Sequence, residues 1–185
     1  MRHIHYSRIV PAVFLLCLCL FSVGFADPDA ADWYSKGMAS FRQGLYGDAV
    51  ELFSNAISLD PVYQPAYFQR GTAYLRLGEY DLAIEDLTTA IVLKPDDSQA
   101  FYNRGQAYMR DGDYGSAVSD FSQTIGIQPG RDDAYYERGK AYEKLGLYNN
   151  ARKDLTRACN MGNDIACSTY DNFELRMLYH EYNAP

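Results

Sequence analysis

A repeat with a period of 34 residues runs through most of this sequence. Two glycines, a tyrosine, an alanine and a proline return at that interval. The columns are Gly37, Gly71, Gly105 and Gly139; Gly44, Gly78, Gly112 and Gly146; Tyr46, Tyr80, Tyr114 and Tyr148; Ala49, Ala83, Ala117 and Ala151; and Pro61, Pro95 and Pro129, with Asn163 in the fourth proline place. A period of about 20–50 residues is typical of stacked copies of one small unit, because a single unit cannot bury its apolar face alone.

Each repeat is predicted to form two helices. About a dozen helix-compatible residues precede Gly44, and glycine suits the left-handed residue that ends a helix. A second apolar-periodic run extends from Tyr46 to Leu59, and Pro61 ends it because proline cannot continue a helix. Gly37 lies inside a helix, where glycine costs about 1 kcal/mol relative to alanine, which indicates that paired helices approach closely there. We therefore expect an all-α chain. The predicted repeats span residues 30–63, 64–97, 98–131 and 132–163.

These features resemble the tetratricopeptide repeat. The family pattern is an aromatic residue, a large residue followed by glycine, then tyrosine, alanine, an aromatic residue or leucine, alanine, and proline. The second repeat fills these places with Tyr67, Arg70, Gly71, Tyr74, Ala83, Leu87, Ala90 and Pro95, and the other repeats follow in phase. The resemblance covers residues 30 to about 163. It implies a right-handed superhelix of helix-turn-helix pairs that binds another protein on its concave face.

One departure from the family pattern predicts ion pairs. The family usually has leucine before the first glycine, whereas three repeats here have arginine and the first has lysine. An aspartate lies sixteen residues after each arginine, while the first repeat has Leu52 in that place, so the base and the acid change together. We interpret these residues as partly buried structural pairs between helices, the alternative being a site for a bound anion. The predicted pairs are Arg70 with Asp86, Arg104 with Asp120, and Arg138 with Asp154.

The resemblance also implies a binding groove, since in this family the first helix of each pair lines the inner face. Counted from the start of each repeat, places 5, 9, 12 and 13 contribute to that face. An aromatic and basic inner face suits an extended or helical peptide with apolar anchors and acidic groups. The alternatives are aromatic packing inside the fold and cations that complement helix dipoles. In order of place, the residues are Tyr34, Phe68, Tyr102 and Tyr136; Met38, Thr72, Gln106 and Lys140; Phe41, Leu75, Met109 and Glu143; and Arg42, Arg76, Arg110 and Lys144.

One activity of the family is not expected here. Relatives that clamp the C-terminal carboxylate of heat-shock chaperones use lysine, asparagine and arginine at set places of three successive repeats. The first two places hold Tyr34 and Met38 in this chain, and Asn103 matches only in isolation. Asp133 and Glu137 stand where lysine and arginine belong, so the charge is reversed.

Residues 1–26 are predicted to be a secretory signal peptide. Arg2 and Arg8 give a positive start, residues 9–25 are apolar and uncharged, and small residues favour cleavage after Ala26. The alternative is an uncleaved membrane anchor, because the apolar run is close to the shortest that spans a bilayer. We therefore expect an exported protein, periplasmic or secreted, that contacts the membrane only if this segment is retained.

The mature chain would keep two cysteines, Cys159 and Cys167. In an exported protein such a pair predicts a disulfide, whereas a cytosolic protein would be expected to have two free thiols. The sequence around them resembles the Sel-like, cysteine-bridged cousins of these repeats. Residues 164–185 are predicted to form a helix and tail that cap the last repeat, because the end of a solenoid needs cover. A helix that docks a partner is the alternative.

The sequence offers little that points to catalysis, a metal or a cofactor. His180 is the only histidine after residue 26, so histidine triads and zinc sites lack further members. A formal net charge of -7 and a pI of about 4.9 disfavour nucleic acid as a partner. We predict a non-enzymatic adaptor or assembly factor of the cell envelope that binds a protein or peptide, with no cofactor and no small-molecule substrate. The alternatives are a self-associating structural scaffold and a cell-wall enzyme.

Overall fold

The described part of the chain is all-helical. A computed structural model describes residues 29–182, with side chains up to residue 175. The predicted signal peptide, the side chain of His180 and the last three residues lie outside this part, and no strand occurs within it. The helices are α1 (Ala30–Arg42), α2 (Tyr46–Leu59), α3 (Gln64–Leu77), α4 (Tyr80–Leu93), α5 (Ser98–Asp111), α6 (Tyr114–Ile127), α7 (Asp132–Lys144), α8 (Tyr148–Asn160) and α9 (Asp164–Tyr182).

A left-handed glycine joins the two helices of each repeat. Gly78 follows α3 with a φ of 84°, and Gly112 follows α5 with a φ of 93°. Gly44 and Gly146 lie in the equivalent turns, with φ values of 77° and 73°. Glycine is favoured in this region because any other side chain would crowd the backbone. The tyrosine two residues later begins the second helix, as Tyr80 does, so the predicted helix-turn-helix pairs are confirmed.

The other glycine column lets the paired helices touch. A Cβ built at Gly105 would lie 2.8 Å from Cε1 of Phe121, and one at Gly71 would lie 2.9 Å from Cγ of Leu87. A favourable contact between carbon atoms needs about 3.5–4.0 Å. Phe121 and Leu87 are themselves fully buried, so neither ring nor branch has free space to move into. Gly105 therefore lowers the helix propensity of α5 but allows α5 to lie directly against α6.

The core is a row of clusters between neighbouring helices. Buried alanines from adjoining helices surround one large residue of each second helix; Ala117 and Ala134, for example, lie in the same cluster as Phe121. Each helix contacts the next one along the chain, and the first helices of successive repeats also touch. Contacts between near neighbours only are the mark of a solenoid, so the predicted all-α solenoid is confirmed. The large core residues are Phe53, Leu87, Phe121 and Leu155, all 0% exposed.

The last helix, α9, occupies the place of a fifth first helix. Asn163 Oδ1 accepts a hydrogen bond from the Ala166 amide (2.8 Å), as Asp97 Oδ1 does from the Ala100 amide (3.2 Å). Ala166 is fully buried, like Ala100. In this register Asp171 stands in the column of close-approach glycines, so α9 lacks the glycine that the four first helices have at that place. Helix α9 therefore packs on the fourth repeat in the manner of a first helix, and its role as a cap stays a prediction.

A disulfide, a buried ring and an ion pair hold α9 against α8. The disulfide joins Cys159 to Cys167, whose Cα atoms are 4.6 Å apart. Phe173 is 2% exposed and belongs to the apolar cluster of the fourth repeat. On the outside, Arg152 Nε donates to Glu174 Oε1 at 2.6 Å. Helix α9 is thus held by covalent, apolar and ionic contacts to the same helix.

Candidate partner-binding site

A cavity of about 460 Å³ opens between the first helices of the second, third and fourth repeats. Three elements, α3, α5 and α7, provide nearly all of its lining, and α4 adds its first residue. Six of the eight lining residues are among the predicted groove residues; Tyr80 and Glu137 are additional. The structure thus brings predicted residues from three repeats together at one site. The lining consists of Leu75, Arg76, Tyr80, Gln106, Met109, Arg110, Glu137 and Lys140.

The basic residues in the last turns of the first helices are exposed and unpaired. Arg76 and Arg110 line the cavity, and Arg42 and Lys144 hold the same place in the first and fourth repeats. Among the described residues, these four side chains make no ion pair and no hydrogen bond with the protein. A cation in the last turn complements the helix dipole, but that effect uses none of its N–H donors. The donors therefore remain available to an acidic ligand.

Apolar side chains lie next to these cations. Phe41, Leu75 and Met109 each stand one residue before a basic residue, and each is half-buried against a core cluster. Leu75 and Met109 also line the cavity. Because they are anchored in the core, they form a firm apolar surface. A firm apolar surface with a few charged groups above it is typical of ligand sites.

The fourth repeat contributes a cation that already has a partner. Lys140 Nζ lies 3.1 Å from Glu137 Oε2 and 5.0 Å from the ring centroid of Tyr136. Glu137 is the one carboxylate in the cavity lining, and Lys140 offsets its charge. Gln106 lies in the same lining and offers an amide. With Arg76 and Arg110 added, the cavity has a net positive lining.

Two further predicted groove residues serve the fold. The Thr72 hydroxyl donates to the Phe68 carbonyl at 2.8 Å and accepts from Asn103 Nδ2 at 3.0 Å. Thr72 therefore links the second repeat to the third rather than presenting a free group. Met38 is half-buried in the core cluster of the first repeat. Neither residue lines the cavity.

Tyr102 belongs to the core, which corrects its predicted place as an accessible groove residue. Its side chain is 8% exposed, and its ring centroid lies 5.6 Å from that of Phe121. The guanidinium carbon of Arg131, from the loop before α7, lies 3.8 Å from the Tyr102 ring centroid. Burial raises the pKa of Tyr102, and the nearby carboxylates of Asp133 and Glu137 raise it further. The Tyr102 side chain is therefore enclosed by the core and covered by the loop.

The other aromatic residues at place 5 are half-buried and packed. The Tyr34 ring centroid lies 5.7 Å from that of Phe53 and 5.5 Å from that of Tyr63. Burial, with a smaller effect from Tyr63, raises the pKa of Tyr34. Phe68 and Tyr136 pack against the clusters of their own repeats. The aromatic column therefore supports the inner face from behind.

The predicted arginine–aspartate pairs form, and all three are bidentate. Arg70 Nε and Nη2 donate to the two carboxylate oxygens of Asp86 at 2.7 and 2.8 Å. Two parallel hydrogen bonds fix the orientation of both side chains as well as their distance. The equivalent distances are 2.8 and 2.8 Å for Arg104 with Asp120, and 2.7 and 2.9 Å for Arg138 with Asp154.

Each of these arginines also reaches the preceding repeat, a contact that was not predicted. Its Nη1 donates to a hydroxyl on the second helix of that repeat. A serine or threonine column with the 34-residue period is the signal that could have revealed it. One guanidinium thus joins three helices from two repeats. The acceptors are Ser54 for Arg70 at 2.9 Å, Thr88 for Arg104 at 2.9 Å, and Ser122 for Arg138 at 3.0 Å.

These contacts favour a structural role for the pairs over a bound anion. The Arg104 side chain is 17% exposed, and three of its nitrogens already donate to protein oxygens. Hydrogen bonding to Asp120 raises the pKa of Arg104, while burial raises the pKa of Asp120. An external anion would have to displace Asp120 and leave its carboxylate buried without a partner, which is costly.

The described residues include neither a cluster of metal-ligating side chains nor a membrane-spanning helix. Residues 29–182 contain no group of three His, Cys, Asp or Glu side chains arranged to hold a metal ion. Over the same residues, no helix combines the length and the apolar character needed to cross a membrane.

Comparisons with known proteins agree with this architecture. One sequence profile of the tetratricopeptide repeat matches residues 68–132, and a second matches residues 33–63 and 132–161. No curated protein sequence matches the chain significantly. Together the two profiles match residues in all four repeats. The first profile ends at residue 132, close to the predicted boundary between the third and fourth repeats.

Several solved structures share the fold. A crystal structure of MamA is 32% identical, covers 76% of this chain and 83% of its own, and has a TM-score of 0.72. YrrB, described as a TPR protein with an unusual peptide-binding site, is 24% identical, covers 77% and 74%, and also has a TM-score of 0.72. The first TPR of Spaghetti (RPAP3), bound to the HSP90 peptide SRMEEVD, is 25% identical, covers 64% and 94%, and has a TM-score of 0.62. The repeat profiles and the similarity to MamA together show that this chain belongs to the tetratricopeptide repeat family.

Proposed function

We propose that this protein is an interaction module that holds a segment of a partner protein in the cavity between its second, third and fourth repeats. The observation that carries the proposal is the convergence of Arg76 and Arg110 with the apolar Leu75 and Met109 on one cavity. The apolar surface would provide affinity, and the free N–H donors would orient the ligand. Because three repeats build the cavity, the ligand would lie across them.

Two structural neighbours support a polypeptide ligand. YrrB is a TPR protein with an unusual peptide-binding site, and the structure of the Spaghetti repeat contains a bound HSP90 peptide. The chaperone peptide is not the ligand we propose. Relatives that clamp its terminal carboxylate have lysine and arginine where this chain has Asp133 and Glu137. A different acidic segment, held by Arg76 and Arg110, fits the cavity better.

We further propose that the protein is exported and acts in the cell envelope as an adaptor or assembly factor. The signal-like residues 1–26 support export, and so does the disulfide between Cys159 and Cys167, because disulfides persist in oxidising compartments. Mass spectrometry of the protein recovered from cell fractions tests this location. We expect an envelope or secreted chain that begins at Asp27. A cytoplasmic chain that retains residues 1–26 would contradict the proposal.

Charge reversal in the cavity tests the binding site. Peptides selected on the purified protein from a random library serve as ligands, and their affinities are measured by fluorescence anisotropy. We expect Arg76→Glu/Arg110→Glu to weaken binding by at least about tenfold, because two attractive contacts become repulsive. Both arginines are exposed and have no partner among the described residues, so we expect the fold to be retained with only the small loss of stability that an anion in the last turn of a helix causes.

The matched control is Lys153→Glu/Arg157→Glu on α8. These residues are also exposed, and the substitutions change the net charge by the same amount. They lie on a second helix, away from the cavity lining. We expect nearly unchanged binding in this variant. Equal losses in the two variants would indicate a general charge effect, and no loss in either would exclude the cavity as the binding site.

A further inference from the structure

One unpaired cation per repeat forms a row along the first helices. Arg42, Arg76, Arg110 and Lys144 recur at intervals of 34 residues in the last turns of α1, α3, α5 and α7. All four are exposed and have no protein partner among the described residues. Equivalent places in stacked repeats are related by the same step. The charges are therefore regularly spaced, and a ligand that follows the solenoid meets them one after another.

The step between these cations can be compared with the step of a peptide. The first helices of successive repeats touch each other, and packed helices lie about 8–10 Å apart. A chain in the polyproline II conformation has three residues per turn and rises about 3.1 Å per residue, so every third side chain returns to one face after about 9 Å. The two periods agree. A β-strand returns a side chain to the same face after about 6.5–7 Å, which does not match.

We infer that the partner segment is acidic and extended in the polyproline II conformation, with aspartate or glutamate at every third position. This inference rests on the proposed function, because it specifies the ligand of the same groove. Successive carboxylates of the segment pair with the successive cations, above all Arg76 and Arg110 in the cavity lining. The unpaired backbone of such a segment can bond to the Gln106 amide and the Tyr80 hydroxyl, which line the cavity between them.

Synthetic peptides of one composition test the spacing. Each contains three glutamates in a proline-rich host, and the peptides differ only in whether the glutamates stand at every second, third or fourth position. We expect the three-residue spacing to bind about tenfold more tightly than the others, since three exposed ion pairs form together only in that register. Added salt should reduce the preference, because exposed ion pairs are screened. Isothermal titration calorimetry measures both effects.

A neutral variant shows whether the arginines read the spacing. Arg76→Gln/Arg110→Gln should remove the preference, whereas Lys153→Gln on α8 should retain it. Equal affinities for all spacings in the wild-type protein, or a preference that survives Arg76→Gln/Arg110→Gln, would overturn the inference. A longer helical peptide that binds best with glutamate at every seventh position would also overturn it, since a helix advances about 10.5 Å over that distance.

These outcomes separate the inference from the proposed function. Library-selected peptides that lose affinity in Arg76→Glu/Arg110→Glu, but show no acid spacing, would retain the groove as the binding site and reject the polyproline II ligand. Library-selected peptides that are insensitive to the cavity variant would reject both.

Discussion

Replacing Arg104 by leucine should lower the free energy of unfolding by about 3–5 kcal/mol, because the substitution leaves a buried carboxylate without its counter-ion. Asp120 is 3% exposed and receives two hydrogen bonds of 2.8 Å from Arg104. Leucine can fill part of the volume of arginine but donates no hydrogen bond. Thr88 also loses its contact with Arg104, which adds a smaller cost. Urea denaturation followed by circular dichroism measures the loss.

The double variant Arg104→Leu/Asp120→Leu should recover most of that stability. Well-packed apolar residues often replace a buried ion pair at little cost, because the desolvation of both charges is avoided. Burial raises the pKa of Asp120 even with Arg104 in place, which is consistent with a costly desolvation. If the double variant is as unstable as Arg104→Leu, the loss is due to packing and the stranded-charge explanation is wrong.

The first repeat provides a matched control. Lys36 stands in the place of the arginine, and Leu52 stands in the place of the aspartate, so this repeat has no carboxylate to strand. Lys36 is exposed, and its Nζ lies 4.6 Å from the ring centroid of Trp33. Lys36→Leu should therefore cost less than about 1 kcal/mol, the order of an exposed cation–π contact. A large loss of stability in Lys36→Leu would show that this position of the repeat is sensitive for a reason other than charge.

The solenoid could be predicted because the local preferences and contacts that define it involve residues close in sequence, and because they recur in every repeat. Gly78 ends a helix by its own backbone preference, and Gly105 permits a contact that the same spacing creates in every repeat. Arg104 and Asp120 could be matched because both change together when the first repeat has Lys36 instead. Each of these signals occurs several times, so a chance match in one repeat is corrected by the others.

The candidate site was only partly predictable, because the loops between repeats do not recur. The aromatic residue at place 5 is covered by the last residue of its own repeat in two cases. Tyr63 packs on Tyr34, and Arg131 covers Tyr102. The same place in the second repeat holds Asp97, which caps α5 instead. A column of aromatic residues in the sequence therefore corresponds to different surroundings in each repeat, and Tyr102 is buried although its place suggested a groove residue.

The packing of α9 could not be predicted from the 34-residue period either. Two residues are missing from the fourth repeat relative to the period, since Asn163 takes the role of Asp97 after 66 residues rather than 68. With the register shifted, Phe173 corresponds to Ala107, one of the fully buried alanines of the first helices. Both residues face the preceding second helix, since Ala107 shares a cluster with Leu87 of α4 and Phe173 shares one with Leu155 of α8. The ring of Phe173 fills the space against α8.

Phe173→Ala should therefore detach α9 from α8, with a loss of about 3–5 kcal/mol in the stability of α9. The ring is 2% exposed and packs in one cluster with Ala151 and Leu155. Its removal leaves a cavity that alanine cannot fill, and the Cys159–Cys167 disulfide holds only the first turn of α9. Hydrogen exchange by mass spectrometry should show rapid exchange in residues 168–182 and little change in the second and third repeats.

Leu175→Ala is the control for this experiment. Leu175 lies on the same helix and loses a similar apolar volume, but it is 65% exposed, so its substitution should change exchange in α9 very little. Equal effects in the two variants would mean that helix propensity, not the buried ring, holds α9 in place. Unchanged protection of α9 in Phe173→Ala would mean that the disulfide and the Arg152–Glu174 pair suffice. Because a solenoid transmits stability from each repeat to the next, a detached α9 should also loosen α8, and exchange in α8 should rise before exchange in α6.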